Sequence, residues 1–260
     1  MNKKKFKKYL QILRTVLICS SLTLILLSSI VSLYKDRNEI IFFTKQKIPF
    51  SKYKNNENIK QENYFWAMEI MKGGYILHFR HAEREKWIDV QMYDSLESDV
   101  KNNGSLRLAE NDYFAKAVCL SERGTIQAKA IGEHLENINL PIGYVISSTS
   151  CRARQTAELS FGGYDDVKRI LVHKGPYYEN QKERVSKLKE LYLNLPIENQ
   201  TNTIVTAHNS VVHGDMFENI DDELTLEEGG FYIISKKNGK LFLEYEFHNF
   251  RKFISAFYKR

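Results

Sequence analysis

The sequence predicts an α/β fold, a three-layer α/β/α sandwich with a mostly parallel central sheet and an antiparallel C-terminal edge hairpin, preceded by one N-terminal transmembrane helix. Three observations lead to this prediction. Helical and strand patterns alternate from residue 63 onward, which is typical of strands joined by crossover helices. Asn238-Gly239 separates two apolar runs and is a strong hairpin signal. Residues 15–34 carry no charge over twenty positions, the length that spans a bilayer core.

The first half of the domain predicts two strands and three helices. Residues 63–71 have a helical pattern, and the apolar run 74–79 predicts a buried strand. A helix is expected over 121–137, with Ser121 as N-cap because its hydroxyl can accept a hydrogen bond from the first backbone N–H groups. A second strand is expected over 142–147, followed directly by a helix over 151–160.

The second half predicts one helix and three strands. The helix covers 180–195, a short buried strand covers 203–207, and the hairpin strands cover 230–235 and 240–247. The aromatic segment 247–260 either packs as a final helix, which base rates favour, or lies against a bilayer.

The charge distribution separates the N-terminus from the rest of the chain. The net charge is +6, and the first fourteen residues hold six basic residues and no acidic one: Lys3, Lys4, Lys5, Lys7, Lys8 and Arg14. The remaining chain therefore has balanced charges. A nucleic-acid binder is expected to carry its excess charge on the folded domain, so nucleic acid is not an expected partner.

Four segments follow from this pattern: a basic cytoplasmic N-terminus at 1–14, a transmembrane signal anchor at 15–34, a polar linker at 35–62 and a globular domain at 63–260. Basic residues before the span place the N-terminus in the cytoplasm and the domain outside, in a periplasmic or extracellular space. The alternative is a long cleavable signal sequence, because small residues lie near the end of the span: Ser28, Ser29 and Ser32.

Three predicted strands end in polar residues. Arg80-His81 follows the first strand, residues 147–157 (SSTSCRARQTA) follow the second, and residues 206–209 (TAHN) follow the third. Neighbouring strand ends would bring two histidines and at least two arginines to one face of the sheet. Guanidinium groups bind phosphate oxygens in a bidentate manner, and a neutral imidazole is a competent nucleophile toward phosphorus. The pattern therefore predicts a phosphoryl-transfer site.

On these motifs the chain resembles the histidine phosphatase superfamily, the group that includes phosphoglycerate-mutase-like enzymes of branch 1. The similarity covers roughly residues 73–234. It rests on Arg80-His81 after the first strand, on the segment 119–162 (CLSERGTIQAKAIGEHLENINLPIGYVISSTSCRARQTAELSFG) and on 205–212 (VTAHNSVV). Three segments in the expected order make the resemblance more specific than the Arg-His pair alone.

The resemblance implies a role for each matched residue. His81 would be the nucleophile that forms a phosphohistidine, Arg80 and Arg152 would bind the non-bridging oxygens, and His208 would stabilise charge on the transferring group. Charge spread over equatorial oxygens is stabilised by fixed donors in a site that excludes water. The scheme requires no cofactor or metal, and the other histidines show no ligand spacing.

The proton donor to the leaving group is the least defined role. Glu179 lies 27 residues after Arg152, a separation similar to that of the acid in mutase-like relatives. It could equally be an exposed carboxylate at the start of the helix 180–195. Glu83, close to the nucleophile in sequence, is the second candidate.

The sequence departs from the family pattern beside the nucleophile, with Ala82 where glycine is usual and Arg84 where a small hydroxyl residue is common. Arg84 could bind a second anionic group of the substrate or pair with Glu83 or Asp89. The expected substrate-binding residues are Glu83, Arg84 and Asn209. Arg154 should face away from Arg152, toward the surface or the sheet edge.

Cys119 and Cys151 remain once Cys19 is assigned to the span. Some secreted relatives have cysteines at similar places, and a disulfide would steady Arg152 in an oxidising compartment. The alternative is two buried thiols.

The functional prediction is a membrane-anchored extracytoplasmic phosphatase that hydrolyses a phosphomonoester, a phosphorylated small molecule, through a phosphohistidine on His81. One alternative substrate class is phosphorylated envelope sugars or lipids. The other alternative is a catalytically silent member that binds a phosphorylated ligand or an envelope partner.

Overall fold

The computed structural model describes residues 56–84, 119–172, 180–198, 200–220 and 223–257, which lie in one compact unit, Phe50–Arg260. The helices are α1 Asn56–Ile70, α2 Glu122–Asn137, α3 Cys151–Phe161, α4 Gln181–Asn194 and α5 Phe250–Phe257. The strands are β1 Ile76–Arg80, β2 Ile142–Ser148, β3 Asp166–Lys168, β4 Asn202–Ala207, β5 Phe231–Lys237 and β6 Lys240–Phe247. Single 3-10 turns lie at Arg169–Leu171, Asn209–Val211 and Gly214–Met216.

The predicted N-terminal segments 1–14 and 15–34 lie outside the described residues. Within the described part of the chain, no helix combines the length and the apolar character needed to cross a bilayer. The membrane anchor therefore stays a prediction.

The six strands form one mixed sheet in the order β3-β2-β4-β1-β5-β6. β1 and β2 run parallel to β4, and β3 runs parallel to β2. β5 is antiparallel to β1 and to β6, so the C-terminal hairpin forms the edge of the sheet as predicted. Asn238 and Gly239 have φ of 52° and 70°, which is the positive φ pair that a two-residue type I′ turn requires.

Helices cover both faces of this sheet. Because successive strand side chains point to opposite faces, Ile76 belongs to one hydrophobic core and Leu77 to the other. The core on the Ile76 side contains buried residues of α4, whereas the core on the Leu77 side contains buried residues of α1, α2, α3 and α5. These two cores make the three layers.

The predicted N-cap at Ser121 and the predicted final helix are confirmed, and Asn180 forms a further N-cap at the start of α4. Ser121 Oγ accepts a hydrogen bond from Gly124 N at 3.0 Å, and Asn180 Oδ1 accepts one from Lys182 N at 2.9 Å. α5 buries Phe250, Phe253 and Ala256, so it packs in the domain.

One boundary differs from the prediction, and one strand was not predicted. α1 begins at Asn56, inside the stretch predicted to be linker, since a polar sequence without glycine or proline can continue a helix beyond its buried part. The edge strand β3 was missed because it has three residues, too few for a pattern, and none is fully buried.

His78 is a buried core histidine on β1. Its Nδ1 lies 2.6 Å from Tyr192 Oη, and its ring stacks on Tyr232 with centroids 6.1 Å apart. Its Nε2 has no hydrogen-bond partner within normal geometry among the described residues, although the ring lies close to the backbone of His208. Burial lowers the pKa of His78 to about 3.

We expect His78 to make folding less favourable in acid. Its folded pKa of about 3 lies below its usual 6.5, so the unfolded chain takes up the proton first as the pH falls. Above about pH 6.5 the protonation of His78 does not reduce the free energy of unfolding, whereas by about pH 5 it reduces that free energy by about 2 kcal/mol. Denaturant unfolding is measured at pH 6.5 and pH 5. Between these values the free energy of unfolding of His78→Leu should fall by about 2 kcal/mol less than that of the wild type. Equal losses would contradict the expectation.

Candidate active site

The topology brings three predicted polar segments to one edge of the sheet. β4 lies between β1 and β2 and runs parallel to both, so their carboxyl ends are adjacent. Arg80 ends β1, His208 follows β4, and Arg152 lies in the first turn of α3, behind β2. The backbone N–H of His81 donates to Ala207 O at 3.0 Å and continues the pairing of β1 with β4.

Arg152 joins the two histidines. Its Nε donates to His81 Nε2 at 3.2 Å, and its Nη2 lies 3.2 Å from His208 Nδ1. The two imidazole rings are 5.1 Å apart between centroids. Arg152, His81 and His208 are 1%, 4% and 2% exposed, so the interactions lie where water does not screen them.

These contacts fix where the ring protons lie. A guanidinium has only donors, so the ring nitrogens that face Arg152 must be acceptors. His81 Nδ1 lies 2.7 Å from the Ala82 carbonyl oxygen and must carry the proton that it donates there. Each ring is thus neutral in this arrangement, and its unprotonated nitrogen faces Arg152.

The electrostatic surroundings favour the same state of His81. Burial lowers its pKa well below the usual value, and the positive charges of Arg152, Arg80 and Arg84 lower the pKa further, against the Ala82 carbonyl. His81 therefore stays neutral near pH 7. A neutral imidazole with Nε2 unprotonated and oriented beside a guanidinium can attack a phosphorus atom whose oxygens that guanidinium binds.

The loop after the nucleophile is held from two sides. Ala82 N donates to Thr156 Oγ1 at 3.0 Å, and that hydroxyl donates to the carbonyl of Arg152 at 2.7 Å. Glu83 N donates to Gln127 Oε1 at 2.8 Å, and α2 approaches so closely that a Cβ on Gly124 would lie 1.8 Å from the Glu83 carbonyl oxygen. Nucleophile and arginine are therefore positioned by a shared backbone network.

Arg80 is held by the loop before β5. Its Nη1 donates to Leu226 O at 2.5 Å, and its Nη2 lies 3.4 Å from Glu228 Oε1. Gly229 N donates back to the carbonyls of Arg80 and His81 at 3.2 Å each. Arg80, which directly precedes His81, thus has its guanidinium oriented by groups that the sequence did not single out.

The other predicted residues have varied positions. Glu83 Oε2 lies 3.4 Å from Arg123 Nη2. Asn209 Oδ1 accepts from Leu226 N at 2.6 Å, so its side chain supports the loop that holds Arg80. Arg84 ends a described segment, and Glu179 lies outside the described residues.

Arg154 corrects one expectation. It is 2% exposed and its Nε donates to Thr149 O at 3.0 Å, so it is buried beneath the β2–α3 connection and does not lie on the surface. The contact between Arg154 and Thr149 is possible because Thr149 lies just before α3, within reach of a side chain in the first turn of that helix.

The cysteines form a disulfide. Cys119 and Cys151 are bonded with Cα atoms 4.8 Å apart, which resolves the two alternatives in favour of the bridge. Leu120 N also donates to Gln155 Oε1 at 2.8 Å. The start of α3, which carries Arg152, is therefore tied to the segment that precedes α2.

Sequence reasoning missed several supporting residues: Gln127, Ser148, Ser150, Thr156 and Glu228. Ser148 and Ser150 lay inside a quoted motif, SSTSCRARQTA, and a cluster of hydroxyls at a strand end was the available signal. The signal for Glu228 was the acidic pair that precedes Gly229-Gly230 at the start of β5.

Comparison with protein families gives one match within the chain. Residues 113–170, which include Arg152, match the sequence model described as "Histidine phosphatase superfamily (branch 1)". The predicted resemblance to this superfamily is confirmed by the match. No curated protein matches the chain significantly.

Solved structures with similar backbones include two that are described as phosphatases. The protein histidine phosphatase SixA complexed with tungstate shares 14% identity over 66% of this chain and 95% of its own, with a TM-score of 0.45. A mutant phosphoserine phosphatase from Entamoeba histolytica in complex with phosphoserine shares 12% identity over 66% and 95% of the two chains, with a TM-score of 0.43. At these values the likeness carries no argument about activity.

Proposed function

We propose that the chain is a phosphatase that hydrolyses a phosphomonoester through a phosphohistidine on His81. One observation carries the proposal: Arg152 donates hydrogen bonds toward both His81 Nε2 and His208 Nδ1 at 3.2 Å in a buried site. A cation that joins two neutral imidazoles can bind a phosphoryl oxygen while one imidazole attacks phosphorus. The superfamily match over residues 113–170 supports this reading.

The chemistry divides between the residues at the strand ends. His81 Nε2 attacks phosphorus and the ester oxygen leaves, while the hydrogen bond from His81 Nδ1 to the Ala82 carbonyl stabilises the positive charge that the ring gains. Arg152 and Arg80 stabilise the equatorial oxygens. Water then attacks the phosphohistidine and releases inorganic phosphate. The leaving oxygen takes its proton from a carboxylic acid, for which Glu179 remains the proposed residue and Glu83 the second candidate.

We also propose that the domain acts outside the cytoplasm, held at the membrane by residues 15–34. Support comes from the uncharged twenty-residue stretch behind a basic N-terminus and from the Cys119–Cys151 disulfide, because such bonds persist in oxidising compartments. The substrate is then a phosphomonoester on that side of the membrane. A phosphorylated envelope sugar or lipid would suit a membrane-held enzyme.

The test is to trap the intermediate. The full-length chain, purified in detergent, is mixed with p-nitrophenyl phosphate and a panel of phosphomonoesters, quenched, and analysed for phosphate release and for phosphopeptides. We expect an acid-labile, alkali-stable phosphate on the peptide that contains His81. The matched control is His213→Ala, a partly buried histidine outside the site, which should be labelled like the wild type, whereas His81→Ala should not be labelled.

Two outcomes would contradict the proposal. Turnover that persists in His81→Ala, or label on another residue, would exclude this nucleophile. A folded wild-type chain that binds inorganic phosphate but releases none from any ester would instead favour the silent binding protein.

A further inference from the structure

Two hydroxyl groups lie against His208 on the side opposite Arg152. Ser148 ends β2 and Ser150 is the N-cap residue of α3, and both side chains are fully buried. The distances from His208 Nε2 are 3.0 Å to Ser148 Oγ and 3.2 Å to Ser150 Oγ. His208 therefore has hydrogen-bond partners at both ring nitrogens.

The protons of this cluster can be assigned from its geometry. Arg152 Nη2 donates toward Nδ1, so the proton of the neutral ring is on Nε2. The Ser148 hydroxyl already donates to Ser150 Oγ at 3.1 Å and accepts from Ser150 N at 3.2 Å. The lone pair that remains on Ser148 Oγ faces the ring, so this oxygen accepts from Nε2–H.

We propose that Ser148 and Ser150 are positioning residues that fix the tautomer and ring orientation of His208. If the buried imidazole carried its proton on Nδ1, two N–H donors, one from the ring and one from Arg152, would face each other. If the ring were flipped, Nε2–H would have no acceptor. Arg152 disfavours the first arrangement, and the serine pair, which supplies the acceptor for Nε2–H, favours the observed tautomer and disfavours the flipped ring. The catalytic consequence, that Nδ1 stays on the side of Arg152 and His81, rests on the proposed phosphatase function.

The pair is partly redundant, because one N–H needs one acceptor and two are within reach. Ser150→Ala leaves Ser148, and Ser148→Ala leaves Ser150 at the slightly longer distance. Each single variant should lower kcat by about threefold, and the double variant should lower it by about fiftyfold, more than the product of the two single effects, as expected when either residue can replace the other.

The matched control is Ser147→Ala. Ser147 is equally buried on the same strand, but its hydroxyl donates to Ser148 O at 2.9 Å and does not contact His208. Ser147→Ala and Ser148→Ala both remove a buried Oγ from β2, so a general effect on packing would lower kcat in both variants. We expect kcat of Ser147→Ala to stay within about twofold of wild type, since its bond is to the backbone of its neighbour. Equal losses in Ser147→Ala and Ser148→Ala would overturn the proposal.

A spectroscopic measurement tests the tautomer without any turnover. The full-length chain with ¹⁵N-labelled histidine is compared with the serine variants, and His208→Gln assigns the resonances. We expect one Nε2–H tautomer in the wild type and a mixture of tautomers in the double variant and in Ser148→Ala. An Nδ1–H tautomer in the wild type, or unchanged signals in both variants, would overturn the proposal. If the wild type shows the expected tautomer but releases no phosphate from any ester, the proposed function fails while this inference stands.

Discussion

Turnover of Arg152→Lys is expected to fall by about a thousandfold, because a lysine keeps the charge but cannot reproduce the planar fork. Nε and Nη2 of Arg152 reach His81 and His208 at the same time, whereas one ammonium group on a flexible stem cannot span both rings in that plane. The reduction should be in kcat, because the guanidinium of Arg152 is proposed to stabilise the charge that develops on the phosphoryl oxygens in the transition state. The measurement is steady-state phosphate release by the full-length chain.

Arg154→Lys is the control for this prediction. Arg154 is in the same helical turn and is buried to a similar degree, but its Nε donates to the Thr149 carbonyl. A general cost of placing lysine in this buried turn would therefore affect both variants. The expected result is that Arg154→Lys retains most of its kcat while folding as well as Arg152→Lys. A loss of less than about tenfold in Arg152→Lys would mean that positive charge alone suffices and that the fork has no special role.

The parts of the fold that the sequence predicted are those fixed by local physics. The Asn238-Gly239 turn needs two positive φ angles, and Ser121 accepts the bond from Gly124 N that an N-cap supplies. The start of α1 could not be predicted, because its first turn is polar and continues a helix whose buried residues lie further on. The strand β3 depends on pairing with β2 rather than on any pattern of its own.

The candidate site was predictable where residue type and strand end coincide. Arg80, His81, Arg152 and His208 are rare choices for the ends of apolar strands, and parallel order brings those ends together. Their hydrogen-bond partners were not predictable, since these depend on distances across the sheet. Asn209 illustrates the difference: its place beside His208 predicted a role in substrate binding, whereas its side chain accepts from Leu226 N in the loop that holds Arg80.

The same limit explains why serine and glutamate escaped notice. Ser148, Ser150 and Glu228 belong to residue types that are common in any connection, so their identity alone carries little information. Only the distances, 3.0 Å from Ser148 Oγ to His208 and 3.4 Å from Glu228 to Arg80, separate them from solvated loop residues. The proposed function of this site thus depends on four conspicuous residues, whose side chains are oriented by inconspicuous ones.

Removal of the Cys119–Cys151 bridge should lower the free energy of unfolding by about 4 kcal/mol, the chain-entropy value for a closed loop of this length. The sequence separation of 32 residues encloses α2 and β2, so the reduced unfolded chain gains considerable freedom. The measurement is denaturant unfolding of the Cys119→Ala/Cys151→Ala double variant and of the wild type, at a fixed protein concentration. Cys19→Ala, which leaves the bridge intact, is the control and should unfold like the wild type.

The bridge should also affect catalysis through Arg152. Cys151 immediately precedes that residue, and the bond from Leu120 N to Gln155 Oε1 is a further tie across the same junction. Loosening the start of α3 would shift the guanidinium relative to His81 and His208, and misplacement of a positioned group lowers rate steeply. We expect kcat of the double variant to fall by about tenfold under conditions where it remains folded. A stability loss below about 1 kcal/mol with unchanged kcat would mean that packing of Cys151 and the Gln155 bond hold Arg152 without the bridge.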